Sequence, residues 1–377
     1  MARTTQIKRK HMQIARFCRQ YLQLEPVVDY PDGEYLCDAW VQETLYEQLF
    51  SEDVKHPAPV RYQLRILKEL VKRIEGSIED WERYGLSDNL YNRLSHLLSL
   101  RLPSEADAAQ EKCYVTYHLS LLGDGSQPTQ EGDDSGEQPD RDHHTLPLLG
   151  DSSPHITLLE SRNLIAASGT TGLRTWEASL HLGQYLLANP SLVRNKRVLE
   201  LGAGTGYVSI LCAKYLASQH VIATDGSDEV VANLPDSLFL NGLQDSVGLV
   251  QPMELWWGHA LVGTEDEKWN GGREVDVVLG ADITYDKSVI PALVATVEEV
   301  LGLFPRAEVV IAATERNRET YESFLEVCGG RGIEVEHADF PVLKREEQRG
   351  PFYNDVMPIH ICLLRRKEGE VGGGGNW

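Results

Sequence analysis

A strand followed by three glycines at every second position constrains this chain more than any other feature. Residues 197–201 read Arg-Val-Leu-Glu-Leu, and Gly202, Gly204 and Gly206 come directly after them. Glycine lets the backbone turn sharply and approach a ligand that a Cβ atom would strike. The segment therefore predicts a ligand-binding loop between a strand and a helix.

The position of the third glycine distinguishes two kinds of cofactor. The dinucleotide-binding fingerprint requires glycine or alanine one position after Gly206, and this chain has Tyr207 there. The loop fits S-adenosylmethionine better. We therefore predict a methyltransferase core, and the spacing disfavours a dehydrogenase.

Composition limits the class of substrate. The 377 residues are 42% hydrophobic, which is enough for one large core and a smaller domain. The formal net charge is −21, and an acidic surface repels a phosphate backbone. No apolar stretch reaches the roughly 18 residues that a membrane-spanning helix needs. We expect a soluble protein that does not bind nucleic acid directly.

The cysteines indicate neither a metal site nor a disulfide framework. The six cysteines lie far apart, without a CxxC pair and without histidines at ligand spacing. This usage is typical of a reducing compartment. The basic residues that precede Glu25 resemble a mitochondrial presequence, but Ile14, Phe17 and Tyr21 have the spacing of a packed helix. We expect a cytoplasmic location.

Four segments are predicted along the chain. Residues 1–120 keep helical apolar spacing, as at Leu67, Leu70 and Ile74, and predict a helical domain. Residues 121–152 predict an acidic disordered linker, because positions 123–144 contain no aliphatic or aromatic residue. Residues 153–366 predict the methyltransferase domain, and residues 367–377, with four successive glycines, a disordered tail.

Strands and helices alternate after residue 153. Two short strands are expected between residues 155 and 167, and a helix over 176–187 follows them. The sheet strands are predicted at 197–201, 220–225, 247–251, 275–281, 307–313, 333–339 and 358–364. Only a loop separates the last two strands, so they must pair antiparallel. Seven strands with an antiparallel last pair are typical of the class I methyltransferase fold, a Rossmann-like α/β sheet.

Acidic residues flank the glycine loop. Asp225 ends the second strand of the sheet, where a doubly wound fold places the carboxylate that accepts both ribose hydroxyls. Asp225 is also in place to cap the next helix, and both roles are compatible. Glu200 precedes the loop and is either a water-mediated contact to the ligand's amino group or a buried carboxylate tied to backbone amides.

Tryptophans are candidates for enclosing the cofactor. Trp256 and Trp257 follow the third strand, at the edge where an adenine would lie, and an indole beside that ring excludes water. A role in the core is the alternative for both side chains. Trp176, at the start of a predicted helix, is a candidate to close over the methionine end of the cofactor.

A carboxylate and a phenol follow the fourth strand. Asp282 and Tyr285 lie three residues apart, so a helical turn would bring their side chains to one face beside the donor methyl group. Both residues are candidates to contact the methyl acceptor. The alternative is that Asp282 caps the helix that begins near Lys287 and that Tyr285 only packs.

These motifs resemble those of the seven-strand protein lysine methyltransferases with an Asp-x-x-Tyr motif after the fourth strand. The matching segments are Thr171–Ala178, Leu199–Gly206, Trp257–Gly258 and Asp282–Tyr285, which occur in the family's order. The Gly169–Trp176 segment and a helical N-terminal extension are most similar to the enzymes that methylate elongation factor 2.

The resemblance extends over roughly residues 155 to 366 and implies a site. The residues that it places around S-adenosylmethionine are Trp176, Gly202, Ala203, Gly204, Asp225, Trp257 and Ala281. It places Asp282 and Tyr285 next to the lysine, without a metal. The implied substrate is a lysine of a translation factor, elongation factor 2 above all, and we expect a monomer. A small-molecule methyltransferase and a non-catalytic interaction module with this fold are the alternatives.

Overall fold

The computed structural model describes residues 2–104, 111–123, 153–162, 171–244, 248–261, 270 and 272–367. The chain forms two compact units, one of residues 1–163 with 348–352 and one of residues 164–347 with 353–377. Most of the predicted linker, the predicted tail after Lys367 and the predicted strand at Leu164 and Ile165 lie outside the described residues.

The first unit is built mainly from helices. They are α1 (Ala2–Leu22), α2 (Gly33–Leu36), α3 (Ala39–Leu45) with a π-helical turn (Tyr46–Phe50), α4 (Val60–Ser77), α5 (Asp88–Ser99) and α6 (Ser120–Gly123). The predicted packing of α1 is confirmed, because Ile14, Phe17 and Tyr21 are completely buried in the core of this unit.

A two-stranded sheet completes the first unit and differs from the sequence prediction. Strand β1 (Cys113–His118) pairs antiparallel with β2 (His155–Glu160). Residues 113–118 are therefore not helical, and the first predicted strand after residue 153 belongs to the first unit instead of the large sheet. The apolar pattern of β2 predicts a strand, but it cannot reveal which strand is its partner.

The second unit contains a seven-stranded sheet. Its strands are β3 (Arg197–Leu201), β4 (His220–Asp225), β5 (Val250–Glu254), β6 (Val277–Ala281), β7 (Glu308–Thr314), β8 (Ile333–Ala338) and β9 (Ile359–Arg366). They lie in the order β5-β4-β3-β6-β7-β9-β8. The first five are parallel, and β9 is antiparallel to both of its neighbours. This topology confirms the predicted class I methyltransferase fold.

Of the α-helices described in this unit, the first precedes β3 in the chain and the others follow β3, β4, β6 and β7, and the burial of each strand depends on its position in the sheet. These helices are α7 (Glu177–Ala188), α8 (Tyr207–Lys214), α9 (Asp228–Leu240), α10 (Ile290–Leu303) and α11 (Arg318–Gly330). Every residue of the central strand β6 is buried, as expected for a strand covered on both faces. The edge strand β8 exposes Glu334 and Glu336, and such charges discourage pairing with another chain. The third sheet strand begins at Val250, three residues later than predicted.

Replacing Phe324 tests how much the packing of α11 against the core of the sheet contributes to the stability of the fold. Its ring is completely buried in the core between the helices and the sheet. Because truncation leaves a cavity, Phe324→Ala should lower the free energy of unfolding by about 3–5 kcal/mol, measured by urea denaturation. The matched control is Phe239→Ala in α9, whose side chain is 66% exposed and should cost less than about 0.5 kcal/mol. Equal losses would contradict this packing.

No helix in the described ranges has both the length and the apolar character needed to cross a membrane.

Candidate active site

The predicted site residues meet at the carboxyl edge of the parallel strands. Gly202 follows β3, Asp225 ends β4, and Asp282 follows β6. Strands β3 and β6 are neighbours, and the chain runs outward from this pair in opposite directions along the sheet. Open α/β sheets bind ligands outside such a switch point. The fold therefore places these residues where a cofactor can bind.

The glycine loop cannot accommodate side chains at two of its positions. The φ angles of Gly202 and Gly204 are +69° and +52°, in the left-handed region. A Cβ atom on Gly202 would lie 2.6 Å from Ile283 Cγ2, and one on Gly204 would lie 3.3 Å from the Gly172 carbonyl oxygen. Glycine is therefore required both by the turn and by the close approach of neighbouring segments.

Asp225 joins the glycine loop to the start of α9. Its Oδ2 atom accepts a hydrogen bond from the Gly204 N–H at 3.1 Å, and Oδ1 accepts one from the Ser227 N–H at 3.1 Å. Burial raises the pKa of Asp225, although these backbone hydrogen bonds lower it in part. The carboxylate thus supports the turn before the helix and lies against the loop, which is compatible with both sequence interpretations.

Glu200 is buried inside the unit, beneath the loop. It accepts a hydrogen bond from the Ser209 hydroxyl, and burial raises its pKa to about 8. Of the two sequence interpretations, the structure favours the buried carboxylate, with a serine hydroxyl as a partner.

The raised pKa of Glu200 predicts a pH dependence of stability. Between about 4.5 and about 8, the folded chain keeps a proton that the unfolded chain releases, so the free energy of unfolding falls as pH rises. Glu200→Gln has no proton to lose and should show a flatter profile. Urea denaturation of both proteins from pH 5.5 to 8, without cofactor, measures the difference. Parallel profiles would contradict the raised pKa.

The two adjacent tryptophans have different surroundings. Trp256 is 55% exposed, and its Nε1 atom donates to Glu254. Trp257 packs against the core of the sheet, and its Cζ2 atom would lie 3.5 Å from a Cβ atom on Gly202. Its Nε1 atom is buried and has no partner within the described residues. Because a buried N–H without an acceptor is costly, this indole fits a site completed by a ligand.

Trp176 is the residue before α7 and is held by its own segment. Its Nε1 atom donates to the Thr171 carbonyl oxygen at 2.9 Å. The guanidinium groups of Arg174 and Arg316 lie 4.3 Å and 5.1 Å from the ring centre. Cations at this distance are attracted to an indole face. The contacts fix the orientation of the ring.

Asp282 adopts an unusual backbone conformation directly after β6. Its φ angle is +55°, a value that aspartate and asparagine tolerate better than most residues. The side chain is buried and accepts hydrogen bonds from Arg316 through both oxygens, each at 3.0 Å. The alternative that Asp282 caps the next helix is wrong, because that helix begins at Ile290 after Val289 and no side chain within the described ranges caps it.

Tyr285 lies close to the segment that contains Trp176. Its ring is 52% exposed, and its hydroxyl accepts a hydrogen bond from Thr171 Oγ1 at 3.3 Å. Thr171 therefore contacts both Tyr285 and Trp176. We call Thr171, Trp176, Asp282 and Tyr285 the Asp282 corner.

Two further predicted residues lie on the same edge. Ala203 is buried in the glycine loop and donates its N–H to the Thr224 carbonyl oxygen at 2.8 Å. Ala281 is the last residue of β6 and is also buried. The structure thus places all nine predicted residues on the edge or on the segments beside it. In the described ranges, no group of three or more His, Cys, Asp or Glu side chains is arranged to hold a metal ion.

Arg316 and Glu177 were not among the site residues predicted from the sequence. Arg316 follows β7 and donates to Glu177 Oε2 at 2.7 Å as well as to Asp282. The rule that chemistry gathers at the carboxyl ends of parallel strands applies equally to β7 and would have drawn attention to Arg316. Its bidentate pairing with Asp282 was not visible in any local motif.

Comparisons with known proteins identify a family and relatives for this chain. Residues 160–329 match a family model described as lysine methyltransferase. The chain is 61% identical over 358 residues to protein-lysine N-methyltransferase EFM3 of Chaetomium thermophilum, covering 95% of this chain and 99% of that protein. It is 29% identical over 322 residues to protein-lysine N-methyltransferase EEF2KMT of Homo sapiens, covering 82% and 81%.

A solved structure is similar at a lower level. The precorrin-6y C5,15-methyltransferase of Geobacter metallireducens is 16% identical, with a TM-score of 0.36, over 52% of this chain and 93% of that chain. The sheet topology, the glycine loop and the extensive identity to a protein-lysine N-methyltransferase lead to one conclusion. The chain belongs to the lysine methyltransferase family and is an S-adenosylmethionine-dependent methyltransferase.

Proposed function

We propose that this enzyme methylates a lysine of elongation factor 2, as a monomer in the cytoplasm and without direct contact to nucleic acid. The observation that supports a binding site for the acceptor lysine is the position of the Asp282 corner, which lies beside the glycine loop on one edge of the sheet. The similarity to EEF2KMT extends over 82% of the chain, beyond the second unit, and supports the choice of substrate.

We infer that seven residues hold S-adenosylmethionine. They are Trp176, Gly202, Ala203, Gly204, Asp225, Trp257 and Ala281. Gly202 and Gly204 allow the tight turn of the loop through their positive φ angles, and Asp225 offers carboxylate oxygens to hydroxyl groups. Trp257 offers a ring and an N–H that has no partner among the described residues. When bound, the cofactor supplies a methyl group activated by a sulfonium.

The acceptor lysine must reach the site as a neutral amine, because only that form has a lone pair for attack. A free lysine has a pKa of about 10.4, so deprotonation at pH 7 costs on the order of 4.6 kcal/mol. Exclusion of water lowers this cost, because a charged ammonium is disfavoured in a dry environment. Correct alignment of the amine contributes further to the rate.

Asp282 and Tyr285 have different roles in binding the acceptor lysine. Asp282 is buried and fixed by Arg316, so it can orient the amine by accepting one of its N–H groups. Tyr285 is half exposed and tied to Thr171, so its ring can contact the lysine stem and the methylated product. The attraction between a cation and an aromatic face favours the product's charged ammonium there.

The test compares a whole extract with the purified substrate. The enzyme is incubated with labelled S-adenosylmethionine and cell extract, and separately with purified elongation factor 2, and labelled lysines are mapped by mass spectrometry. We expect label on a lysine of elongation factor 2 in both reactions, and its loss with Asp282→Asn. Label only on other proteins would contradict the substrate. Label only on small molecules would also contradict the proposed binding of a protein lysine at the Asp282 corner.

A further inference from the structure

Arg316 links three parts of the site. It lies two residues after β7, and its Nη1 and Nη2 atoms donate to Asp282 Oδ1 and Oδ2, each at 3.0 Å. Nη2 also donates to Glu177 Oε2 at 2.7 Å, and the guanidinium lies 5.1 Å from the Trp176 ring centre. Because the planar guanidinium matches a carboxylate with two parallel hydrogen bonds, Arg316 is held in one orientation.

The contacts leave Asp282 with little free acceptor capacity. A carboxylate has about four acceptor positions. Oδ1 accepts from Arg316 Nη1 and from the Thr314 N–H, and Oδ2 accepts from Arg316 Nη2. Within the described residues, one position on Oδ2 therefore remains. An amine can use that position while Arg316 stays in place.

Arg316 also determines the charge of this region. Asp282 and Glu177 are two carboxylates that contact one guanidinium, and Arg174 lies 4.3 Å from the same Trp176 ring. Burial opposes the charge of Arg316, but the hydrogen bonds and charges of both carboxylates raise its pKa overall. Its positive charge therefore persists over the working pH range. Without Arg316, the negative charges of Asp282 and Glu177 would be less compensated at the Asp282 corner.

We propose that Arg316 is a positioning residue that offsets the charge of Asp282 and Glu177, so that the acceptor lysine is bound as the neutral amine. This inference rests on the proposed lysine methylation at the Asp282 corner. A bare carboxylate pair would stabilise the ammonium and so oppose the reaction. With Arg316 in place, Asp282 acts as a hydrogen-bond acceptor that aligns the amine.

Other charged groups lie next to this cluster. The Nε2 atom of His360 lies 2.7 Å from Glu315 Oε2, and Lys287 donates a hydrogen bond to Glu319 Oε2 at 3.2 Å. These pairs are unchanged in the variants described next. A difference between two of these variants therefore comes from the substituted side chain.

Two charge changes should shift the pH profile in opposite directions. Arg316→Gln removes a positive charge, raises the pKa of the bound lysine and should move the acidic limb of kcat roughly one pH unit upward. Below that limb, one unit corresponds to a roughly tenfold lower rate. Glu177→Gln removes a negative charge and should move the limb downward. Arg316→Lys keeps the charge and should remain close to the wild type in limb position.

The measurement is kcat as a function of pH at saturating S-adenosylmethionine. The substrate is the protein that becomes labelled in the cell-extract experiment described above. The KM for that protein should not rise in Arg316→Gln, because an ammonium is bound at least as well as before. Melting temperatures of the variants check folding. A purely structural role would lower kcat in both variants without opposite shifts.

The outcomes separate this inference from the proposed substrate. Label on another protein, together with opposite shifts of the acidic kcat limb in Arg316→Gln and Glu177→Gln, would mean that the choice of elongation factor 2 is wrong and that the role of Arg316 is supported. If elongation factor 2 is labelled but the limbs coincide, the role of Arg316 is wrong. A kcat of Arg316→Gln above that of the wild type would also overturn the role of Arg316. Arg316 would then compete with the acceptor lysine for Asp282.

Discussion

Replacing Asp282 by asparagine is expected to lower kcat for methyl transfer about 100-fold, the loss typical of a misplaced reacting group. Asparagine tolerates the left-handed backbone at this position, so the local fold should persist. Its amide, however, cannot accept both guanidinium hydrogen bonds of Arg316 and also direct the incoming amine. We expect the affinity for S-adenosylmethionine to change less than about threefold, because Asp282 is assigned to the acceptor.

The measurement separates binding from transfer. Calorimetric titration gives the cofactor affinity, and single-turnover methylation of the protein substrate gives the transfer rate. The matched control is Asp286→Asn, which removes the same charge from an exposed position four residues later and should leave the rate within about threefold. Loss of charge at Asp282 also favours the neutral lysine, so the acidic limb should move downward while the plateau falls. An intact plateau would exclude the orienting role.

Replacing Asp225 by alanine is expected to weaken S-adenosylmethionine binding by about 10- to 100-fold. Hydrogen bonds to a charged group contribute about 1.5–3 kcal/mol each, and tenfold in affinity corresponds to about 1.4 kcal/mol. The variant also removes the acceptor that holds the Gly204 N–H and the Ser227 N–H, so the glycine loop loses support. Once cofactor is saturating, kcat should recover to within a few-fold of the wild type.

Cofactor affinity measured by calorimetry tests this assignment. Asp228→Ala is the matched control, since it removes an exposed carboxylate three residues later in the first turn of α9. It should change the affinity less than about twofold. Equal affinities of Asp225→Ala and the wild type would assign the ribose contact to another residue.

Much of the second unit was predictable because its signals are local. The strand at 197–201 and the strand at 220–225 have the predicted bounds, since continuous apolar runs flanked by glycine or a helix cap are typical of buried parallel strands. The antiparallel pairing of β8 and β9 was predicted because the sequence between them reads as a loop and not as a crossover helix. The shift of β5 to Val250 has a different cause, because its polar and partly exposed residues give a weak periodic signal.

The candidate site was predictable to the same extent. Gly202, Asp225 and Asp282 each follow or end a strand, so the parallel topology alone brings them to one edge. The roles assigned to them remain predictions, which the variants above test. Arg316 was missed because its importance depends on three contacts with residues 34 to 140 positions away in the chain.

The sequence by itself determined the alternation of strands and helices, the position of the glycine loop and the order of the chemical groups along the chain. These properties depend on neighbouring residues and on the periods of helix and strand. Only the tertiary structure decided that β2 pairs with β1, that burial raises the pKa of Glu200, and that Arg316 donates a hydrogen bond to each oxygen of Asp282. Desolvation and charge pairing depend on distances in space, and residues far apart in sequence become neighbours only when the chain folds.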